Sequence, residues 1–134
     1  MTTPASESSP RRGRVLIVDD EPLLVKLFVR VLSQEHDLTG ETDARAALAR
    51  LEAGERFDLI FCDLLMPKMS GIALHDAVAR IDAEQARRMV FLTGDVGQPL
   101  AVEFFQRVDN KRIQKPLVPS TLRELVRDWM KDKG

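Results

Sequence analysis

Apolar residues recur in two alternating rhythms along this chain. Val15-Leu16-Ile17-Val18, Leu59-Ile60-Phe61-Cys62 and Met89-Val90-Phe91-Leu92 are short continuous apolar runs. Such runs are what strands buried on both faces require. Between them the spacing becomes that of helices with one apolar face. Leu24, Leu27, Phe28, Val31 and Leu32 form one stripe, with Pro22 suited to a first helical turn. Ala47, Leu48 and Leu51 form another within Asp43 to Ala53, with Asp43 as N-cap and Gly54 as stop. Ile72, Leu74, Ala77, Val78 and Ile81 follow Ser70-Gly71; Leu100, Ala101, Phe104, Phe105 and Val108 form a fourth stripe. Leu122, Leu125, Val126, Trp129 and Met130 mark the last helix. Two weaker strands are expected, around Leu38 to Thr42 at an edge and near Arg112 to Gln114.

Five strands alternating with five helices predict an α/β fold, a single doubly wound, five-stranded parallel sheet flanked by five helices. Parallel neighbours need helical crossovers, and the helices must cover both sheet faces. The strand order 2-1-3-4-5 is one arrangement in which strands 1, 3, 4 and 5 lie side by side. Residues 1–12 are Ser, Thr, Pro and charge without periodicity and are expected to form a disordered tail. The domain then occupies residues 13–134.

At 134 residues the chain suits one domain. Twenty Lys and Arg against 21 Asp and Glu offer no global basic field to hold nucleic acid or an anionic membrane. One cysteine excludes an internal disulfide. No apolar run approaches the ~20 residues of a membrane helix. The start of the chain has no apolar segment of the kind a secretory signal needs, so a cytoplasmic protein is expected.

The candidate chemistry lies directly after the strands. Asp19 and Asp20 follow Val18, Asp63 follows Cys62, Thr93 follows Leu92, and Lys115-Pro116 follows the last strand. Each has an ordinary explanation alone, as an N-cap, a turn or a solvated charge. In an open parallel sheet, however, ligands bind beyond the carboxyl ends of the strands. Carboxylates about 4 Å apart repel by about 4 kcal/mol at an effective dielectric near 20, and a hard divalent cation removes the conflict. Mg²⁺ suits oxygen ligands of this kind, whereas His36, His75 and Cys62 are too scattered for zinc. A carboxylate, a Mg²⁺ site, a lysine and a hydroxyl together form a phosphoryl-transfer apparatus. Asp63, alone on the central strand, is the candidate nucleophile, leaving Asp19 and Asp20 to hold metal.

These residues, in this order, resemble the receiver domain of two-component response regulators. VLIVDDEP at Val15 to Pro22, FCDLLMPKMSG at Phe61 to Gly71, FLTG at Phe91 to Gly94 and QKPL at Gln114 to Leu117 carry the resemblance, which covers Gly13 to Lys131. It implies a flavodoxin-like fold and a phosphoacceptor switch. Asp63 would take a phosphoryl group from a sensor histidine kinase or phosphotransfer protein. Asp20 would bind Mg²⁺ directly, Asp19 mainly through water, and the backbone carbonyl of Leu65 would be a further ligand. Thr93 and Lys115 would each meet a phosphoryl oxygen, and Lys115-Pro116 would be a cis junction. A stoichiometric phosphoacceptor with slow loss of phosphate is implied, rather than a turnover enzyme. Little sequence follows the last helix, so output is expected through a downstream protein partner and not through direct binding of nucleic acid.

One position departs from the family pattern. Three residues before Lys115 the family often has Tyr or Phe; here it is Arg112, whose guanidinium does not fit an apolar slot. Receivers attached to hybrid sensor kinases often lack that aromatic as well. Leu65 and Asp95 fall where the family tunes loss of phosphate. Two other functions fit these residues less well. A phosphohydrolase of the haloacid dehalogenase type wants an Asp-x-Asp motif after its first strand, and here the acids are adjacent. An unphosphorylated interaction module would need a degenerate acidic site.

Overall fold

The computed structural model describes residues 12–94 and 97–133. The expected tail, apart from Arg12, and Asp95 lie outside them. The elements in order are β1 (Arg14–Val18), α1 (Pro22–Leu32), β2 (Asp37–Glu41), α2 (Ala44–Glu52), β3 (Leu59–Asp63), α3 (Gly71–Ile81), α4 (Ala83–Arg87), β4 (Met89–Thr93), α5 (Pro99–Arg107), β5 (Arg112–Gln114) and α6 (Pro119–Lys133). The five strands form one sheet in the order β2-β1-β3-β4-β5, and every neighbouring pair is parallel.

Strand alternation divides the core. Leu16, Val18, Ile60, Cys62, Met89 and Phe91 face a layer containing Ala47, Leu51, Leu74, Val78, Ala86, Ala101 and Phe104. Val15, Ile17, Leu59, Phe61, Val90 and Leu92 face the opposite layer with Phe28, Leu32, Leu122, Val126 and Met130. Both faces of the central strands are thus dry, as their unbroken apolar runs demand. The outer strands β2 and β5 are only partly buried. That explains why β2 alternates poorly in the sequence.

Local signals operate where the periodicity placed them. The Asp43 side chain accepts a bond from the Arg45 amide at the start of α2, and that of Ser70 accepts from the Ala73 amide at the start of α3. Gly54, just past α2, has φ of 104°, a conformation that costs glycine little. Helix α4 is additional to the five expected. It has Asp82 as its cap, and Gln85 ties it down by accepting from the Phe57 amide at 2.6 Å and donating to the Phe57 carbonyl at 2.9 Å.

The amino-terminal edge of the sheet is closely stitched. Arg12 donates to Asp37 at 2.9 Å and reaches the carbonyls of Ser33, Gln34 and His36. The amide of Arg14 donates to the Asp58 carboxylate and the Trp129 indole to the Asp58 carbonyl. Gly13 lies so near the Met130 side chain that a β-carbon there would overlap it. Among the described residues, no helix is long and apolar enough to cross a membrane.

Candidate functional site

The carboxyl ends of β1, β3, β4 and β5 bring the predicted residues together. Asp19, Asp20 and Asp63 each offer a carboxylate oxygen within 4.8 Å of the others. Asp19 is fully buried and Asp63 only 8% exposed, whereas Asp20 faces solvent. One Asp19 oxygen accepts from the Glu21 amide at 2.9 Å. The other lies 3.1 Å from Lys115 Nζ, which is 3.7 Å from an Asp63 oxygen. The Lys115 amide donates to the Thr93 carbonyl at 2.8 Å, tying the ends of β4 and β5 together. The Lys115–Pro116 peptide bond is cis.

Asp63, Leu65, Thr93 and Lys115 line a cavity of about 280 Å³, together with Leu64, Leu92 and Gly94. Leu65 sits at its rim, 40% exposed. The Thr93 hydroxyl is buried and has no hydrogen-bond partner. A buried hydroxyl without a partner costs free energy, so its retention at a cavity wall marks a place for an acceptor.

The charges are in conflict. Burial, then the neighbouring Asp19 carboxylate, push the Asp63 pKa up to about 7 against the partial relief of Lys115. Burial also raises Asp19. Burial alone would lower Lys115, but the carboxylates of Asp63, Asp19 and Glu21 outweigh it and hold its pKa above the ordinary value. Three acids against one ammonium leave room for further positive charge, and all the donors are hard oxygens. The residues therefore fit a Mg²⁺ ion.

All six sequence-predicted site residues, Asp19, Asp20, Asp63, Leu65, Thr93 and Lys115, thus belong to the cluster or line its cavity. Glu21 was not among them, yet its carboxylate reaches to 3.8 Å from Lys115 Nζ. Its only signal in the sequence was adjacency to the acidic pair. Loop geometry depends on Gly71, where a β-carbon would collide with the Asp63 carbonyl oxygen. Cys62 is fully buried and its thiol faces the Asp63 carbonyl at 3.3 Å. Burial holds that thiol protonated, its pKa well above the ordinary value, so it is no nucleophile.

Comparison with known proteins agrees with this geometry. The family described as the response regulator receiver domain matches residues 15–127. The chain is 32% identical over 120 residues to the transcriptional regulatory protein BtsR of Salmonella typhi, covering 78% of this chain and 46% of that protein. It is 27% identical to hybrid signal transduction histidine kinase C of Dictyostelium discoideum, covering 95% of this chain but 11% of that protein. It thus spans less than half the length of these curated relatives. The crystallised chemotaxis protein CheY4 of Vibrio cholerae superposes with a TM-score of 0.74 at 26% identity, covering 88% of this chain and 98% of that one. An acidic cluster with two buried members, beside a lysine and an unpartnered threonine, on this sheet order and with this match, makes the chain a member of the response regulator receiver domain family of two-component signalling.

Proposed function

We propose that this receiver is a phosphoacceptor switch in which Asp63 takes a phosphoryl group from a phosphohistidine of a sensor histidine kinase or phosphotransfer protein. An Asp63 carboxylate oxygen attacks phosphorus, forming a P–O bond as the P–N bond breaks. The departing imidazole keeps the bonding electrons and takes up a proton. Asp19, Asp20 and Asp63, with the Leu65 carbonyl, would hold Mg²⁺, which would neutralise the crowded carboxylates and the phosphoryl oxygens. Lys115 offers an ammonium to one of those oxygens. The Thr93 hydroxyl offers its unused hydrogen to another.

The observation that carries this reading is the buried, unpartnered Thr93 hydroxyl on the cavity it shares with Asp63 and Lys115. A merely structural threonine at the end of a buried strand would have found an acceptor. The product is a stoichiometric acyl phosphate that decays slowly, not the start of a turnover cycle. A change in conformation then passes the signal to a protein partner in the cytoplasm.

The test is intact-mass spectrometry after incubation with Mg²⁺ and acetyl phosphate, repeated with a phosphorylated kinase. One phosphoryl group per chain is expected, absent from Asp63→Asn and without Mg²⁺. Undiminished labelling of a folded Asp63→Asn protein would refute the assignment.

A further inference from the structure

His36 is a buried titratable group with no part in the acidic site. It lies in the turn between α1 and β2, at the pole of the sheet away from Asp63, and is 1% exposed. Its Nδ1 accepts a hydrogen bond from the Gly13 amide at 3.1 Å, and its Nε2 is buried without a partner. A backbone amide can donate only to a bare lone pair. The bond therefore fixes the ring as neutral, with its proton on Nε2.

That bond completes a strap across the entry to β1. The Gly13 carbonyl accepts from the Asp37 amide at 2.8 Å. Arg12, just before it, donates to the Asp37 carboxylate and to the carbonyls of Ser33, Gln34 and His36. On its other side Gly13 abuts the Met130 side chain, so the backbone has no slack in that direction.

A second proton, on Nδ1, would set two N–H groups against each other and place a charge in a site closed to solvent. The surrounding charges do not offset this. Glu35 and Asp37 favour an imidazolium, whereas Arg12 and Arg127 oppose it. Both carboxylates are also engaged, Glu35 by Arg127 at 2.8 Å and Asp37 by Arg12 at 2.9 Å. The Asp58 carboxylate, beside Gly13, accepts from the Arg14 amide. Burial prevails and holds the His36 pKa below its ordinary 6.5. Opening the strap returns the ring to water and to that ordinary value. The strap's hold is therefore full above pH 6.5 and weakens as pH falls.

We propose that His36 is a proton-sensitive clasp: neutral, it pins the Arg12–Gly13 strap to β2, and uptake of a proton by the ring loosens that strap. The inference stands independently of the phosphoacceptor reading.

Hydrogen exchange of the Gly13 and Asp37 amides in the full chain tests this, expressed as protection relative to unstructured chain at each pH. The imidazole nitrogens are followed by NMR alongside. At pH 7.5 the ring should carry its proton on Nε2. Between pH 7.5 and 5.5 the protection of both amides should fall about tenfold, the ratio expected when only the open form titrates near 6.5. The Phe91 amide, bonded to the Lys111 carbonyl across β4 and β5, should not follow. In His36→Asn a carboxamide oxygen takes the place of Nδ1 and cannot be protonated in this range, so Gly13 protection should stay level. That chain retains Asp19 and Asp63, whose titration is thus common to both. Level protection of Gly13 in the parent overturns the clasp, as does an equal fall in His36→Asn or at Phe91. A neutral ring with its proton on Nδ1 overturns it too. If His36→Asn fails to fold, the tautomer and the parent's Gly13 and Phe91 profiles still decide.

Discussion

The two edges of the sheet are built on opposite principles. At the amino-terminal edge most polar groups are matched, the buried His36 Nε2 excepted: Arg12 bonds to three carbonyls and a carboxylate, and Gln85 meets both backbone groups of Phe57. Asn110 likewise donates to the carbonyls of Ala86 and Met89. At the carboxyl-terminal edge three carboxylates crowd together, one lysine serves them, and a buried hydroxyl goes without a partner. One edge holds the fold together while the other gathers crowded charge and an unsatisfied hydroxyl around an open cavity. The difference teaches where stability is made and where it is given up for chemistry.

The largest effect should come from relieving the conflict. Asp63 has its folded pKa raised from 3.8 to about 7, so its stabilising contribution is full below about pH 4 and is lost as pH rises through 7. Asp63→Asn cannot ionise. Without Mg²⁺ at pH 8 it should therefore be more stable than the parent by about 3–4 kcal/mol, a margin that closes toward pH 4. Urea melts across that range would show it, and an Asn variant no more stable at pH 8 would break the contrast between the edges. Added Mg²⁺ should narrow the gap by stabilising the parent.

At the stitched edge the sign reverses. Gln85→Ala leaves the amide and carbonyl of a buried Phe57 without partners and should cost about 2–3 kcal/mol, read as a lower denaturant midpoint. Loss of much less would mean that water replaces the side chain. Back at the carboxyl-terminal edge, Lys68 in the loop after Asp63 has φ of 70°. Lys68→Gly should gain about 1 kcal/mol by relieving a conformation that a side chain resists. Smallest of all is the ion pair of Arg127 with Glu35, 2.8 Å long but 47% and 30% exposed at its two side chains. Arg127→Gln should lower stability by less than about 1 kcal/mol, and less again in high salt.

Much of the architecture was legible because the central strands are buried on both faces, and unbroken apolar runs betray that state. Edge strands lack the pressure. The structure places β2 at Asp37–Glu41, one residue earlier than the sequence suggested. Helix α4 escaped notice because only Ala83 and Ala86 are apolar in it; its anchor is a glutamine, which no hydrophobic period reveals. The site was legible as chemistry following strands. What could not be read was that Asp19 is entirely buried while Asp20 is exposed, since adjacent acids look alike until the backbone turns. Nor could the stacking of Arg112 on Phe105, which depends on the register between β4 and β5 and on the pitch of a helix lying across them.

The contact of Gly13 with Met130 has a consequence for how such a domain can be mounted. It brings the first strand's approach and the last helix to one corner, on the side of the sheet away from Asp63. A probe attached at Gly13 or Met130 therefore lies at that corner and leaves the mouth of the acidic cavity uncovered. Such a probe sits at the base of the sheet, and the cavity beside Asp63 stays open at the other end.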